Sequence, residues 1–169
     1  KIDTEDTQRR EPNIWTMVEE RAWRYQFDRR QVGQTEKMLD LGCGAGKNME
    51  ELGILGNVFG IDKSFEAIDY CRARGLVNVG QGSTDKSGFG KNTFDLITLL
   101  DVLEHTDEHK TFTEAKRILK NNGNILITVP AYGWLWSKWD EVLHHKRRYN
   151  KSMIEKLLKN EGFKIIKIS

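Results

Sequence analysis

Three glycines at alternate positions form a loop directly after an apolar segment, in the run Leu39-Asp-Leu-Gly-Cys-Gly-Ala-Gly46. Glycines there let the backbone turn sharply and approach a ligand closely, because no Cβ stands in the way. A dinucleotide-binding loop would next place Gly or Ala for close helix packing, whereas this chain has Lys47. Asp40, two residues before the first glycine, would repel a pyrophosphate and attract a ligand that carries an ammonium and a sulfonium group. No Gly-Lys-Ser/Thr sequence is present, which excludes a Walker-type phosphate loop.

A second acidic residue, Asp62, ends the next apolar segment, about 20 residues beyond the first glycine. At this distance a carboxylate accepts hydrogen bonds from the hydroxyls of a ribose. Asp62 could instead help to cap a helix that begins after Ser64. The spacing therefore predicts a ligand with a cationic part and a ribose, with helix capping as the alternative role for Asp62.

Strands and helices alternate along the part of the chain that must position these residues. Apolar runs predict strands at residues 37–41, 57–61, 77–81, 94–99, 124–129 and 163–168. Helices are predicted from the glycine loop to about residue 52, and at 64–75, 108–120 and 152–160. Strands that are apolar on both faces and separated by helices imply a parallel sheet covered on both sides. We therefore expect an α/β fold, a Rossmann-like three-layer sandwich of six or seven mostly parallel strands, with its ligand at their carboxyl ends.

The N-terminal segment has a helical sequence pattern and precedes the alternating strands and helices. Residues 11–32 predict a helix, with Pro12 near its start and Trp15, Val18 and Ala22 on one stripe. We expect residues 1–33 to form a helical cap on a ligand-binding domain at 34–169, the two making one compact unit.

The run from residue 38 to residue 130 resembles the successive motifs of the class I S-adenosylmethionine-dependent methyltransferases. The matching segments are 39–46, Gly60-Ile-Asp-Lys-Ser64, Phe94-Asp-Leu-Ile-Thr-Leu-Leu-Asp-Val-Leu-Glu-His105 and 117–130. The resemblance implies an enzyme that uses S-adenosylmethionine and releases S-adenosylhomocysteine. It also implies that the glycine loop faces the methionine part, that Asp40 assists its amino group and that Asp62 holds the ribose. The cofactor-binding residues expected on this basis are Asp40, Gly42, Cys43, Gly44, Gly46, Asp62, Lys63, Ser83, Thr84 and Leu100.

Two features depart from the pattern of this family. Many members carry an acid after the third strand for the adenine amino group, where this chain has Ser83. A serine hydroxyl accepts one hydrogen bond, and the N–H of Thr84 can reach a ring nitrogen, whereas Asp85 is offset by two residues. Family members also usually continue into an antiparallel strand after the one expected at 163–168. We therefore expect either a truncated chain or a sheet edge completed otherwise, for example by a second copy in a homodimer.

Aromatic residues flank the predicted scaffold. All five tryptophans lie outside residues 33–130. We expect Trp23, Tyr132 and Trp134 to contact the methyl acceptor as part of an aromatic lid that excludes water. The alternative is that these rings cover an apolar end of the domain.

The run His144-His-Lys-Arg-Arg-Tyr149 combines imidazole, guanidinium and phenol groups that could bind phosphate or carboxylate. We expect Arg148 and Tyr149 to bind the acceptor and His145 to act as general base, with His144 and His105 as alternatives. No metal is expected, because in-line methyl transfer needs only alignment and exclusion of water. Residues 130–149 also resemble a subgroup whose members are associated with glycan or lipid-linked sugar pathways.

Composition narrows the class of partner. The 27 Lys and Arg balance 25 Asp and Glu, which does not select nucleic acid or an anionic membrane. The sequence Leu100-Asp-Val-Leu103 replaces the Asn/Asp-Pro-Pro-Tyr/Phe typical of enzymes that methylate nucleic acid bases, so no nucleic acid partner is expected. No apolar run approaches the roughly 18–20 residues of a membrane span. The contexts of Cys43 and Cys71 argue against a disulfide and favour a cytoplasmic setting.

These patterns predict an enzyme that methylates a small-molecule or lipid/glycan-linked acceptor at oxygen. A cofactor-binding module without catalysis is the second hypothesis, because binding does not prove turnover. An NAD-dependent oxidoreductase is the third, and Asp40 and Lys47 disfavour it.

Overall fold

The computed structural model describes residues 13–17 and 37–168. Strands and helices are numbered separately in chain order. The strands are β1 (Asn13–Met17), β2 (Lys37–Leu41), β3 (Asn57–Asp62), β4 (Val79–Gln81), β5 (Phe94–Leu100), β6 (Leu119–Thr128) and β7 (Lys164–Ile168). The helices are α1 (Lys47–Leu52), α2 (Phe65–Ala73), α3 (Glu108–Ile118), α4 (Lys138–Val142) and α5 (Lys151–Asn160), with single 3₁₀ turns at Leu103–His105 and Gly133–Leu135.

The strands form one sheet in the order β4-β3-β2-β5-β6-β1-β7. Every neighbouring pair is parallel. From β2 the chain adds β3 and β4 on one side, and then β5 on the other side of β2. An open parallel sheet binds ligands at such a switch in strand order. The Rossmann-like α/β fold expected from the sequence is confirmed.

Successive residues of each central strand serve opposite faces of the sheet. On one face Leu39 and Leu41 join a core that includes Phe112 of α3 and Ile154 of α5. On the other face the core packs against α1 and α2 and contains Met38, Met49, Leu52, Ile68 and Cys71. This two-sided burial explains why the strands read as continuous apolar runs.

The helix predicted over residues 11–32 is wrong for residues 13–17, which form β1. Its backbone pairs with β6 from Asn13↔Asn124 to Met17↔Thr128, and with β7 on its other side. In this position the sheet supplies partners for the backbone N–H and C=O groups of β1, so long-range pairing outweighs the local helical pattern. The position beside β6 is therefore occupied by the chain's own residues. The rest of the predicted helix, and of the cap at 1–33, lies outside the described residues.

The junction between α3 and β6 also differs from the prediction. The helix ends at Ile118, Leu119 is already extended, and β6 starts there. A Cβ on Gly123 would lie 2.7 Å from Leu119 Cδ1, so a glycine at this position allows the strand to pack closely. In the part of the chain that the structure describes, no helix is both long enough and apolar enough to cross a membrane.

Candidate active site

A cavity of about 860 Å³ opens where β2, β3, β4 and β5 end. Of the residues predicted to bind the cofactor, eight line it: Gly42, Cys43, Gly44, Asp62, Lys63, Ser83, Thr84 and Leu100. The carboxyl ends of neighbouring parallel strands meet at one edge of the sheet, which brings these distant segments together. Asp40 and Gly46 are not part of the lining.

The glycine loop is tied to the end of β3. The N–H groups of Gly42 and Cys43 both donate to the carbonyl of Ile61, at 2.8 and 2.9 Å. Gly44 has φ +51° and a Cβ there would meet nothing within 4 Å, so the loop presents bare backbone to the cavity. A Cβ on Gly46 would lie 2.4 Å from Leu76 Cδ1, so glycine permits close packing here, and its contact with the cofactor stays a prediction.

Asp62 holds the loop and faces the cavity. Its Oδ2 accepts the N–H of Gly44 and its Oδ1 accepts the N–H of Ser64, both at 2.9 Å. A carboxylate has about four lone-pair positions, so acceptor capacity remains for hydroxyl groups in the cavity. The helix cap on α2 is the hydroxyl of Ser64, which accepts from Ala67 N at 3.2 Å.

Asp40 is buried, with 1% of its surface exposed. Its Oδ1 accepts a 2.7 Å hydrogen bond from Thr98 Oγ1, and its Oδ2 has no partner among the described residues. Burial raises the pKa of Asp40 to about 6, the bond from Thr98 opposes this, and the charge of Asp62 adds to it. A cation bound in the adjoining cavity would favour the ionised form of this carboxyl. The structure therefore places Asp40 as a buried charge beside the site, without an opening to the cavity.

The loop after β4 forms a second wall. Ser83, Thr84 and Asp85 all line the cavity, and the hydroxyl of Thr84 lies 3.0 Å from that of Thr111 on α3. Both acceptors weighed for the adenine amino group, Ser83 and Asp85, are therefore present at the same wall.

The sequence analysis did not single out Asp101, which follows β5 and lines the cavity. Its backbone is left-handed, with φ 55°. Thr128 fixes this turn, because its hydroxyl accepts the N–H of Asp101 at 3.0 Å and donates to Asp101 Oδ1 at 3.1 Å. The place of Asp101 at the end of a buried strand was the signal that could have identified it.

The imidazoles are arranged differently from the prediction. His105 and His144 line the cavity, whereas His145 does not. The rings of His105 and His145 pack edge to face, 4.8 Å apart at 72°. Burial lowers the pKa of His105, and the neighbouring His145 lowers it further.

Arg148 and Tyr149, which the sequence predicts at the substrate, both have partners within the protein. Arg148 donates from Nε and Nη2 to the two oxygens of Asp140, at 2.6 and 3.0 Å, and from Nη1 to Ala131 O at 3.1 Å. Tyr149 is 2% exposed, and its hydroxyl donates to Glu108 Oε1 at 2.6 Å. Neither residue lines the cavity. Both fix the course of the segment that carries His144.

His145 belongs to the same network. Asp140 is buried, and the guanidinium of Arg148 is the main reason why its pKa lies well below the usual range. An ionised carboxylate only accepts, so the 2.9 Å contact has His145 Nδ1–H donating to Asp140 Oδ1. The Nε2 atom of His145 is the ring nitrogen that Asp140 leaves free.

The aromatic lid is not present among the described residues. Tyr132 and Trp134 do not line the cavity, and Trp134 is 80% exposed. Trp23 lies outside the described residues. An exposed apolar surface occupies this segment instead, and we call it the 132–143 surface: Tyr132, Trp134, Leu135, Trp136, Trp139, Val142 and Leu143.

Glu104 is a further group that the sequence analysis did not select. It is completely buried, and neither carboxylate oxygen has a hydrogen-bond partner among the described residues. Burial raises the pKa of Glu104 to about 8, and the charge of Asp101 adds to the shift. Its position beside His105, directly after β5, was the available signal.

Comparison with known proteins identifies the class. A family model described as a methyltransferase domain matches residues 39–127, more than half of the chain. The chain belongs to this methyltransferase domain family, and its fold is that of the class I enzymes that depend on S-adenosylmethionine.

Individual relatives cover parts of the chain. An uncharacterised protein of Methanocaldococcus jannaschii is 35% identical over 78 residues, 46% of this chain and 34% of the relative. The mitochondrial ubiquinone biosynthesis O-methyltransferase of Schizosaccharomyces pombe is 30% identical over 112 residues, 60% of this chain and 40% of the relative. The chain thus spans less than half the length of these two relatives.

One solved structure shows a related domain with the cofactor. Phosphoethanolamine N-methyltransferase 2 of Haemonchus contortus, in complex with S-adenosyl-L-methionine, superposes with a TM-score of 0.63 at 25% identity. The match covers 77% of this chain and 33% of that one. Bare backbone at Gly44, the acceptor capacity of Asp62 and the buried charge of Asp40 fit such a ligand.

Proposed function

We propose that the protein transfers the methyl group of S-adenosylmethionine to a hydroxyl oxygen of a small-molecule or lipid-linked acceptor. The observation that carries the proposal is the composition of the cavity. One part presents the glycine loop and Asp62, and another presents Asp101, His105 and His144. Groups suited to a cationic nucleoside and groups suited to proton transfer therefore share one space.

The cofactor end uses residues with complementary charge and shape. The glycine loop would hold the methionine part, Asp62 the ribose hydroxyls, and Ser83 or Asp85 the adenine amino group. The bound cofactor supplies an electrophilic methyl carbon on a positively charged sulfur. Asp40 would favour that positive charge through the loop.

The acceptor end requires alignment and removal of a proton. The acceptor oxygen forms a bond to the methyl carbon while the carbon–sulfur bond breaks, and a base takes the hydroxyl proton. We assign this base to His144, because it lines the cavity while His145 is held behind His105. His145 then becomes a positioning residue, in place of the base predicted from the sequence.

The surroundings of the cavity favour an acceptor with an apolar part. Leu143 lies both in the cavity lining and in the exposed 132–143 surface. Aromatic and aliphatic groups at the mouth of a cavity that holds His105 and His144 suit a molecule whose reactive hydroxyl enters while its apolar portion stays on the surface. The Schizosaccharomyces pombe relative is an O-methyltransferase, which supports oxygen as the atom methylated here.

A release assay for S-adenosylhomocysteine tests the proposal. Short-chain and long-chain phenols and alcohols would be compared with amines of the same skeleton. We expect turnover with a hydroxyl acceptor, and His144→Gln to lower kcat by about 10²-fold or more without weakening cofactor binding. His109→Gln is the matched control, because that ring is 79% exposed and paired with Glu161. Turnover of amines alone would overturn O-methylation, and cofactor binding without any turnover would favour the non-catalytic module.

A further inference from the structure

Glu104 is a buried acidic side chain to which the proposed function assigns no role. The side chain has no exposed surface, and both carboxylate oxygens lack a hydrogen-bond partner among the described residues. Buried carboxylates in folded proteins are paired with donors or coordinate cations, because burial removes their hydration. A buried carboxyl group with unpaired oxygens either stays protonated or binds a cation, and its position decides between the two.

Two imidazoles lie close to Glu104. One ligand atom each from Glu104, His105 and His145 lie within 4.8 Å of one another. Tetrahedral ligand atoms at about 2.1 Å from an ion are about 3.4 Å apart, so the widest pair would have to close by up to roughly 1.4 Å to seat one. Rotation of the His105 imidazole and the Glu104 carboxyl group toward the fixed ring of His145 can supply a movement of that size.

The groups behind the cluster are arranged as around metal-binding histidines. His145 Nδ1–H donates to Asp140 Oδ1, and Arg148 holds that carboxylate in a two-pronged ion pair. Such a carboxylate fixes the ring and leaves Nε2 as the coordinating atom. The N–H of Lys146 donates to Glu104 O at 2.9 Å, which joins the two segments that provide the ligands.

We propose that Glu104, His105 and His145 bind one divalent transition-metal ion at the wall of the acceptor cavity. Two nitrogen ligands and one oxygen ligand suit Zn²⁺, Co²⁺ or Mn²⁺ better than Mg²⁺ or Ca²⁺, which prefer oxygen alone. Three protein ligands leave a position for a water or an acceptor oxygen, and His105 borders the cavity. This role rests on the proposed O-methylation: the ion would orient the hydroxyl and make its proton easier to remove, which departs from the sequence expectation that no metal is needed.

Titration with Co²⁺ tests the site directly. Metal-free full-length chain would be titrated in a visible spectrometer and in a calorimeter, with Zn²⁺ added afterwards as competitor. We expect one saturable Co²⁺ site whose absorption bands report nitrogen and oxygen ligands and disappear when Zn²⁺ displaces the ion. Absence of saturable binding by the wild-type chain at millimolar Co²⁺ would overturn the proposal.

Three variants distinguish Co²⁺ binding at this cluster from adventitious binding elsewhere on the protein. Glu104→Gln and His105→Gln are each expected to weaken Co²⁺ binding at least tenfold, and His109→Gln to leave it unchanged. His105→Gln alters a residue at the cavity wall, so it remains informative if the buried Glu104→Gln variant does not fold. Equal Co²⁺ affinity of the wild type and His105→Gln would refute the assignment.

Binding of S-adenosylmethionine is measured on the same samples. Co²⁺ binding without cofactor binding would count against the proposed function and leave the metal site standing. Cofactor binding and turnover with no Co²⁺ site would do the reverse.

Discussion

Asp40 and Asp62 are two carboxylates a short distance apart whose surroundings give them different properties. Asp62 stands at the cavity wall with an N–H donor on each oxygen. Asp40 is buried with one oxygen unpartnered, and its pKa is raised to about 6. Asp62 is thus suited to hydrogen bonding, whereas Asp40 acts through its charge and makes folding without a bound cation depend on pH.

The sign of that pH dependence follows from the two pKa values of Asp40. The unfolded chain ionises it near the ordinary value of 3.8, and the folded chain near 6. The folded state therefore binds the proton more tightly, so stability falls as the pH rises from about 4 to 6 and stays lower above. We expect Asp40→Asn to raise the free energy of unfolding at pH 8 by up to about 3 kcal/mol without cofactor, and to have little effect at pH 4.

Urea unfolding at the two pH values checks this prediction. Asp69→Asn is the control, since Asp69 is exposed on α2 and pairs with Arg72 at the surface. A variant at position 40 that is less stable than the wild type at pH 8 would show that the ionised carboxylate has a stabilising partner.

Asp62 gives a prediction about binding. Replacing it with Asn places an NH₂ group against the N–H of Gly44 or of Ser64, because only one of the two oxygens remains an acceptor. We expect the Kd for S-adenosylmethionine to rise by about 10- to 100-fold, measured by calorimetry. An unchanged Kd, with Asp69→Asn again as control, would remove Asp62 from the ribose site.

At the scale of elements, the sequence pattern correctly predicted the strands whose position depends on their own composition. The apolar runs at β2, β3 and β5 are buried on both faces, so their composition alone identified them. The cavity-lining part of the cofactor site could be predicted for the same reason, since Gly42, Asp62 and Leu100 stand where such strands end. β1 could not be predicted, because its partners Asn124 and Lys164 are distant in sequence.

The segment after β6 was hardest to predict because tertiary ion pairs determine its path. Arg148 and His145 both bind Asp140, an acid that carries no motif of its own. A run of basic residues gives no sign of which of them will be neutralised inside the protein and which will reach a cavity. For this reason the sequence favoured Arg148 and His145 at the substrate, whereas the residues of this run that line the cavity are His144 and Lys146.

The Arg148–Asp140 pair gives a prediction at this scale. Arg148→Lys retains the charge but loses the two-pronged geometry and the bond to Ala131 O. We expect a fall in Tm of several degrees, larger than that of Arg147→Lys, whose Arg147 forms a more exposed pair with Glu108. Thermal unfolding followed by circular dichroism makes the comparison. An equal fall in Tm for both variants would show that the pair with Asp140 does not determine the path of the segment after β6.

At the scale of the whole molecule, the cavity and the exposed 132–143 surface meet at Leu143. Trp134 and Trp139 are 80% and 72% exposed, so they add little to folding. We expect their joint replacement by Ser to leave Tm nearly unchanged and to raise KM for a long-chain acceptor about tenfold, with a water-soluble short-chain analogue unaffected. Steady-state kinetics on the two acceptors decide this, and an equal change in both KM values would argue against a surface for the apolar part.

The assignment depends most directly on which nucleotide the cavity binds. Calorimetric titration of the full chain with S-adenosylmethionine and, separately, with NAD⁺ measures this. We expect saturable one-to-one binding of S-adenosylmethionine, displaced by S-adenosylhomocysteine, and no saturable binding of NAD⁺. Saturable NAD⁺ binding by a chain that does not bind S-adenosylmethionine would contradict the assignment of the cavity.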